Sequence, residues 1–298
     1  AGAVTAAAAA PAAALRGVGF MVVAMAIFAT QDALSKHLAE RYSVITITMI
    51  RYWFFALFVL ALAARKPGGL AAARRTAFPW VQWLRGVLLA AEICVMVSAF
   101  ALLGLVESHA VFACYSLIIA ALSGPVLGER VGWRRWLAIG VGFLGVVVIL
   151  RPGTHVFDPA ALIALAAAFM YALYGLLTRY VARVDGATTS FFYTGLGGAV
   201  AMTLIGPFFW TPMQGWDWAV MALLCVTGAT AHFMLIKALE IAEATAVQPF
   251  AYLHLVFASL IGVAVFGETV EIQLALGAAL VVGAGLFTLW RERAAVGR

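Results

Sequence analysis

Charge is scarce in this sequence. Asp, Glu, Lys and Arg make up 11% of its 298 residues, where an ordinary soluble domain carries about a quarter. Hydrophobic residues reach 65% and mean hydropathy is +1.04. This excludes a water-soluble fold, and with it a soluble catalytic domain, a nucleic-acid-binding module and a receptor ectodomain. Cysteine is limited to Cys94, Cys114 and Cys225. All three lie in apolar stretches with no metal-ligand spacing, so they read as small core hydrophobes. Catalytic signatures are missing as well: there is no G-x-S-x-G and no H-E-x-x-H, and the histidines are scattered over different apolar segments. Neither an enzyme, a cofactor nor a metal ion is expected. The opening AGAVTAAAAAPAAAL has no basic region ahead of its apolar residues, so residues 1–16 read as a trimmed or low-complexity disordered tail rather than a signal peptide.

What the chain has is long apolar runs. A spanning helix needs about 20 apolar residues, so ten would occupy about 200 positions, two thirds of the chain. Breakers divide it into ten such segments, near 17–38, 44–64, 79–104, 106–127, 134–151, 158–181, 189–209, 217–240, 244–266 and 271–290. The expected fold class is therefore an all-α integral membrane protein with ten transmembrane helices. An even count places both termini on one side. That side collects Arg16, Arg65, Lys66, Arg74, Arg75, Arg85, Arg130, Arg134, Arg135, Arg179, Arg183, Lys237, Arg291, Arg293 and Arg298. The other side holds Lys36, Arg41 and Arg151, and Arg51 falls inside the second span. The positive-inside rule then makes both termini cytoplasmic. Membrane lipid is partner enough for the basic balance, and nucleic acid is not required.

The segments also repeat. At an offset of 143, Phe28, Ser35, Lys36 and Ala39 fall on Tyr171, Thr178, Arg179 and Ala182. At an offset of 139, Gly128-Glu129 falls on Gly267-Glu268, each pair preceding a glycine-spaced helix, with Gly140, Gly142 and Gly145 in one half and Gly277 and Gly283 in the other. A duplicated unit of five spans is odd, so the second copy must lie inverted. Residues 17–151 and 158–290 form the two inverted five-helix repeats, followed by a cytoplasmic tail at 291–298. Inverted repeats are a recurring design of secondary transporters, which hold substrate near the midplane between the halves.

The stretches IFATQDALSKHLA, RYWFFALFVLAL, SAFALLGLVESHAVFACYSLIIAALSGPVLGERVGWRRWLAIGVGFLGVVVIL and VFGETVEIQLALGAALVVGAGLFTL resemble the twin EamA repeats of the drug/metabolite transporter superfamily, and more narrowly the YddG-type bacterial amino-acid exporters. The resemblance implies an inner-membrane carrier with a central cavity between spans 1 to 4 and 6 to 9, moving small neutral or aromatic amino acids outward by alternating access. The proline often seen in the family before each Gly-Glu pair is replaced by Cys114 and Leu253, leaving Pro125 and Pro249 to bend those helices.

Ionisable groups in the hydrocarbon core are expensive, so each is a functional candidate until a structural partner is found. Asp32 and Arg51 lie at similar depth on adjoining spans, and their counterparts Gly175 and Thr194 lack charge together, which favours an ion pair or gate; an Asp32 to Lys36 contact at i, i+4 competes with it. Near mid-depth, Glu92, Tyr115, His232 and His254 form a polar layer on spans 3, 4, 8 and 9, with Tyr171, Tyr174, Trp53 and Phe112 as aromatic walls. These are the candidate substrate-binding residues; interhelical hydrogen bonding and packing are the bland alternatives. Glu129 and Glu268 read as helix-end features, and the tryptophans at span ends as interfacial anchors. The glycine faces of spans 5 and 10 serve close packing and could pair subunits into a homodimer. A nucleotide-sugar or sugar-phosphate exchanger would need several cavity cations, and a passive channel would not need the duplication.

Overall fold

Leucine, alanine and methionine runs unbroken by charge favour helix wherever backbone groups must be satisfied without water. In a computed structural model, described here for residues 2–128, 132–150, 159–242 and 247–296, the described residues form helices and no strand. In chain order these are α1 (Gly2–Ala39), α2 (Val44–Ala64), the short α3 (Gly69–Ala73), α4 (Pro79–Leu103), α5 (Leu105–Phe112), α6 (Tyr115–Leu127), α7 (Trp133–Leu150), α8 (Pro159–Val181) and α9 (Ala187–Ile205). They continue through a 3-10 turn (Gly206–Phe209), α10 (Asp217–Ile241), a second 3-10 turn (Gln248–Tyr252), α11 (Leu253–Phe266) and α12 (Ile272–Val296). Among the described residues, eight helical stretches are long and apolar enough to cross a membrane, with shorter apolar stretches at Trp136–Leu150 and Ile272–Thr288. Helix α1 starts at Gly2 rather than at residue 17, because alanine, which fills the opening, has the highest intrinsic helix propensity of any residue type. Glu129, Arg130 and Arg151 lie outside the described residues, as do the side chains of Arg135, Glu240, Arg291 and Arg293.

Packing follows a paired pattern. Helix α1 lies against α10 and α11, α8 lies against α4 and α6, α2 against α9, and α7 against α12. Two helices are interrupted at corresponding places: α5 gives way to α6 at Ala113–Cys114, and the turn Gln248–Tyr252 gives way to α11 at Leu253. These breaks fall on the two positions where proline is missing; the first forms without one, whereas the second follows Pro249 inside the 3-10 turn. At the first, Ser116 Oγ donates to the Ala113 carbonyl (3.2 Å) and meets Tyr252 Oη (2.8 Å), which satisfies a backbone oxygen freed by the bend.

The glycine-spaced faces meet inside the chain. A Cβ on Gly145 would stand 2.7 Å from the Gly277 carbonyl oxygen, and one on Gly277 2.6 Å from that of Gly145. A Cβ on Gly142 would strike Leu117 at 2.1 Å, whereas Gly140 and Gly283 face open space. Gly142, Gly145 and Gly277 are therefore spent on closing α7 against its neighbours, and only Gly140 and Gly283 remain for a face between subunits. Arg85, expected among loop cations, is instead buried in α4. Its Nε donates to Thr178 Oγ1 (3.0 Å), and its guanidinium covers the Tyr174 ring at 5.0 Å. Gly145→Val should destabilise the detergent-purified protein by about 1–3 kcal/mol through overpacking, seen as a lower midpoint in thermal unfolding, while Gly140→Val should leave that midpoint unchanged.

Candidate functional site

A cavity of about 360 Å³ opens between the helices. Helical periodicity aims its walls. Met21, Met25, Phe28 and Asp32 recur along α1, and Leu89, Glu92, Ile93, Met96, Val97 and Phe100 along α4, at the three- and four-residue spacings that share one face. Arg51 enters from α2, His109 and Phe112 from α5, Tyr115 from α6, Tyr171 from α8, His232 from α10, Tyr252 from the 3-10 turn and His254 from α11. The cavity thus runs from Met21, Leu235 and Gln248, near the end of the bundle where α10 finishes, up to Phe100 and His109 near the other end.

Of the residues expected to bind substrate, Glu92, Tyr115, His232, His254, Tyr171 and Phe112 line this cavity. Their rings form one connected wall: Tyr115 meets Tyr171 edge-on at 4.9 Å, and Phe112 lies 5.2 Å from Tyr115 and 5.4 Å from Tyr171. Trp53 and Tyr174 are elsewhere. Trp53 is 41% exposed and donates from Nε1 to Thr203 Oγ1 (2.8 Å) on the outer surface of α9, because its position on α2 points away from the bundle. Tyr174 lies one turn beyond Tyr171 on α8 and packs on Arg85 instead.

The ionic assignments change more. Asp32 does not pair with Arg51 or with Lys36; its Oδ2 meets His254 Nε2 at 2.8 Å and His109 Nε2 at 3.0 Å. Two imidazoles on packed helices reach it more directly than a guanidinium on α2. Arg51 and Glu92 both face the cavity, close enough for their opposite charges to interact. Lys36 pairs with Glu268, and its ammonium sits 4.2 Å from the Phe266 ring centroid. Glu268 also accepts from the backbone amides of Leu105 (2.9 Å) and Val106 (2.8 Å), the unsatisfied donors at the start of α5. One carboxylate therefore ties α1, α5 and the end of α11 together beside the Phe100 and His109 end of the cavity. Gly104 at φ +86° lets the chain turn there, and a Cβ on it would strike the Glu268 carboxylate at 2.6 Å. Burial acts to raise the Glu268 carboxyl, but Lys36 and the two amides outweigh it and hold it below the usual carboxylate range.

His109 and Gln31 join the cavity wall without a sequence signal strong enough to single them out. His109 stands four residues into α5, close enough to a span end to read as interfacial. The available signal is that it lies in a largely apolar run from Leu105 to Phe112, two residues after Glu107.

Comparison with known proteins now bears on what this arrangement does. A model of the EamA-like transporter family matches residues 15–151 and again residues 158–290. The chain belongs to the EamA-like transporter family. It is 26% identical over 284 residues to an S-adenosylmethionine uptake transporter of Rickettsia felis, covering 95% of this chain and 96% of that one. It is 28% identical over 290 residues to a riboflavin transporter of Vibrio cholerae, covering 94% and 95%, and 29% identical to a riboflavin transporter of Rhizobium johnstonii, covering 95% and 93%. A solved crystal structure of a protein 21% identical in sequence shares the fold, with a TM-score of 0.63 over 95% of this chain and 99% of that chain. The protein is accordingly a multi-pass membrane transporter and not an enzyme. The narrower likeness to YddG-type amino-acid exporters finds no support in these relatives, whose names specify S-adenosylmethionine uptake and riboflavin.

The Glu268 tie carries a pH dependence. A carboxyl depressed in the folded state contributes stability above its ordinary value of 4.5, and that contribution is lost as pH falls through the lower folded-state value. Glu268→Gln should cost about 2 kcal/mol at neutral pH, the size of a charge-assisted hydrogen bond. Thermal unfolding in detergent from pH 7 down to pH 3 should show the gap between variant and wild type closing at the acid end.

Proposed function

We propose that this EamA-family protein is a secondary carrier of ten spans, built as two inverted five-helix units over 17–151 and 158–290, that moves a zwitterionic amino-acid-derived solute bearing a planar ring across a bacterial inner membrane. The observation that carries the substrate class is the pair of opposite charges, Glu92 and Arg51, facing one cavity with the Phe112, Tyr115 and Tyr171 rings. A carboxylate offers an ammonium its counter-charge, a guanidinium grips a carboxylate in two-pronged fashion, and aromatic faces take the ring. S-Adenosylmethionine combines all three features. Aromatic amino acids present the same amino-acid head group and remain the second candidates.

Several observations support the inverted architecture. The family match occurs twice, and the helix pairings interchange when the two halves are exchanged: α1 with α10 and α11 answers α8 with α4 and α6. Charge asymmetry puts both termini in the cytoplasm. In that orientation the Glu268 tie closes the outer end and the cavity opens inward, one of the two states alternating access requires. The direction of net flux in a carrier follows the gradients imposed on it, so uptake, as named for the Rickettsia relatives, stands beside the export expected from the sequence. A sugar-phosphate or nucleotide-sugar exchanger fits less well, because the cavity offers two carboxyl groups against one guanidinium.

Riboflavin is the competing solute by the relatives' names. Its ring would suit the aromatic wall, but as a solute without an ammonium group it offers Glu92 no counter-charge. Proteoliposomes containing the full chain should show saturable counterflow of S-adenosylmethionine or phenylalanine, with Glu92→Gln raising the half-saturating concentration about 10- to 100-fold, the loss of one charge-assisted contact of about 1.5–3 kcal/mol. Riboflavin counterflow with neither of the other solutes moving would overturn the reading.

A further inference from the structure

The contacts of His109 demand one proton more than a neutral imidazole and an ionised carboxylate together supply. Nδ1 lies 2.9 Å from the Leu105 carbonyl oxygen, which can only accept, so Nδ1 carries a hydrogen. Nε2 lies 3.0 Å from Asp32 Oδ2. In a neutral ring that nitrogen would be a lone pair facing a carboxylate oxygen, which is repulsive. Both contacts are hydrogen bonds only if His109 is an imidazolium or Asp32 is a carboxylic acid donating to Nε2. The His109 ring is stacked on Phe100, 5.1 Å between centroids and 8° from parallel, an arrangement whose attraction grows when the imidazole is positive. His254 Nε2, 2.8 Å from the same carboxylate oxygen, completes the group.

We propose that Asp32, His109 and His254 form a proton-binding site open to the transport cavity, and that its proton is coupled to solute movement. All three line the cavity, so water entering from its open end can carry the proton away. The other titratable groups facing the site are Arg51 from α2, Glu92 from α4, Tyr115 from α6, Tyr171 from α8, His232 from α10 and Tyr252 from the 3-10 turn; α7 and α12 contribute none to the lining. Glu92 and a solute ammonium both add charge beside the triad, which gives solute and proton a means of sensing each other.

The site is also placed to reach the closed end of the cavity. Lys36 is one helical turn beyond Asp32 on α1, and Leu105 is one turn before His109 on α5. Two of the three helices joined by the triad, α1 and α5, are thus the two joined by Glu268 through Lys36, Leu105 and Val106. Losing the proton replaces the Asp32 to His109 bond by a repulsive contact and loosens α1 from α5 one turn below the tie. Regaining it draws them together and resets the tie.

This inference rests on the cavity being the transport path, and its test separates the two. Solid-state NMR of the full chain with ¹⁵N-histidine, reconstituted in vesicles at pH 7, with infrared spectra of the same samples, should show an imidazolium with both nitrogens protonated or a carboxylic acid lost in Asp32→Asn. His109→Gln should remove it. Neutral histidines throughout, with Asp32 ionised, would overturn the proton site whatever solute is carried. In vesicles clamped at zero membrane potential, an imposed pH gradient should drive accumulation of S-adenosylmethionine or phenylalanine, and the ratio of gradient-driven accumulation to counterflow should fall at least tenfold in His109→Gln. Accumulation indifferent to the gradient, or transport abolished by a chelator at fixed pH, would overturn coupling, the latter by placing a divalent cation in the triad. Failure of both solutes to move overturns the substrate reading and leaves the proton site to be decided by the spectra; should His109→Gln not fold, the wild-type and Asp32→Asn spectra decide it.

Discussion

A charge inside hydrocarbon must find an opposite charge, a hydrogen-bond partner or a water-filled crevice, and this requirement organises the bundle. Three clusters meet it in different ways. At one end Glu268 ties Lys36 to the first amides of α5. At the other, Asp185 accepts from Gln82 Nε2 at 2.7 Å and from the Ala77 amide at 3.0 Å, beside the buried Arg85. Between them the cavity holds a third group of ionisable side chains. Each end cluster joins helices from the two halves of the chain, so the polar groups also hold the halves in register.

Apolar packing sets how closely the rest can approach. Without a hydrophobic force between helices in lipid, contact area and small residues do the work. Gly145 and Gly277 bring α7 and α12 into backbone contact, and Gly86 and Gly197 do the same for α4 and α9, where a Cβ on Gly86 would lie 2.9 Å from the Gly197 Cα. The breaks at Ala113–Cys114 and at Leu253 have the opposite role. They turn Phe112, Tyr115 and His254 toward the cavity at points where the ladder of backbone bonds is interrupted.

The polar layer drawn from hydropathy alone falls largely on the cavity wall: Glu92, Tyr115, Tyr171, His232 and His254 all reach it, because a polar side chain at mid-depth has few places to go. Partner choice is less legible. Asp32 and Arg51 share a depth, yet depth fixes only one coordinate; the azimuth of each side chain around its helix assigns Asp32 to two imidazoles. Trp53 and Tyr174 depart from expectation for the same reason, being at the expected depth on faces turned away. His109 is hidden by the reverse effect, since it enters from a helix end and the break after Phe112 brings it inward.

Composition and run length were sufficient to indicate a membrane-embedded helical protein and to locate its apolar segments, and the repeated motifs pointed to the EamA-like family, because those properties depend on residue type summed along the chain against a slab of fixed thickness. They are local and additive. The partners of Asp32, the three-way contact of Glu268 and the extra proton required at His109 depend on the rotation and spacing of helices far apart in sequence, at the tolerance of a hydrogen bond. Only the packed structure fixes distances of that order, and it is at those distances that an ion pair, a gate and a proton site become different things.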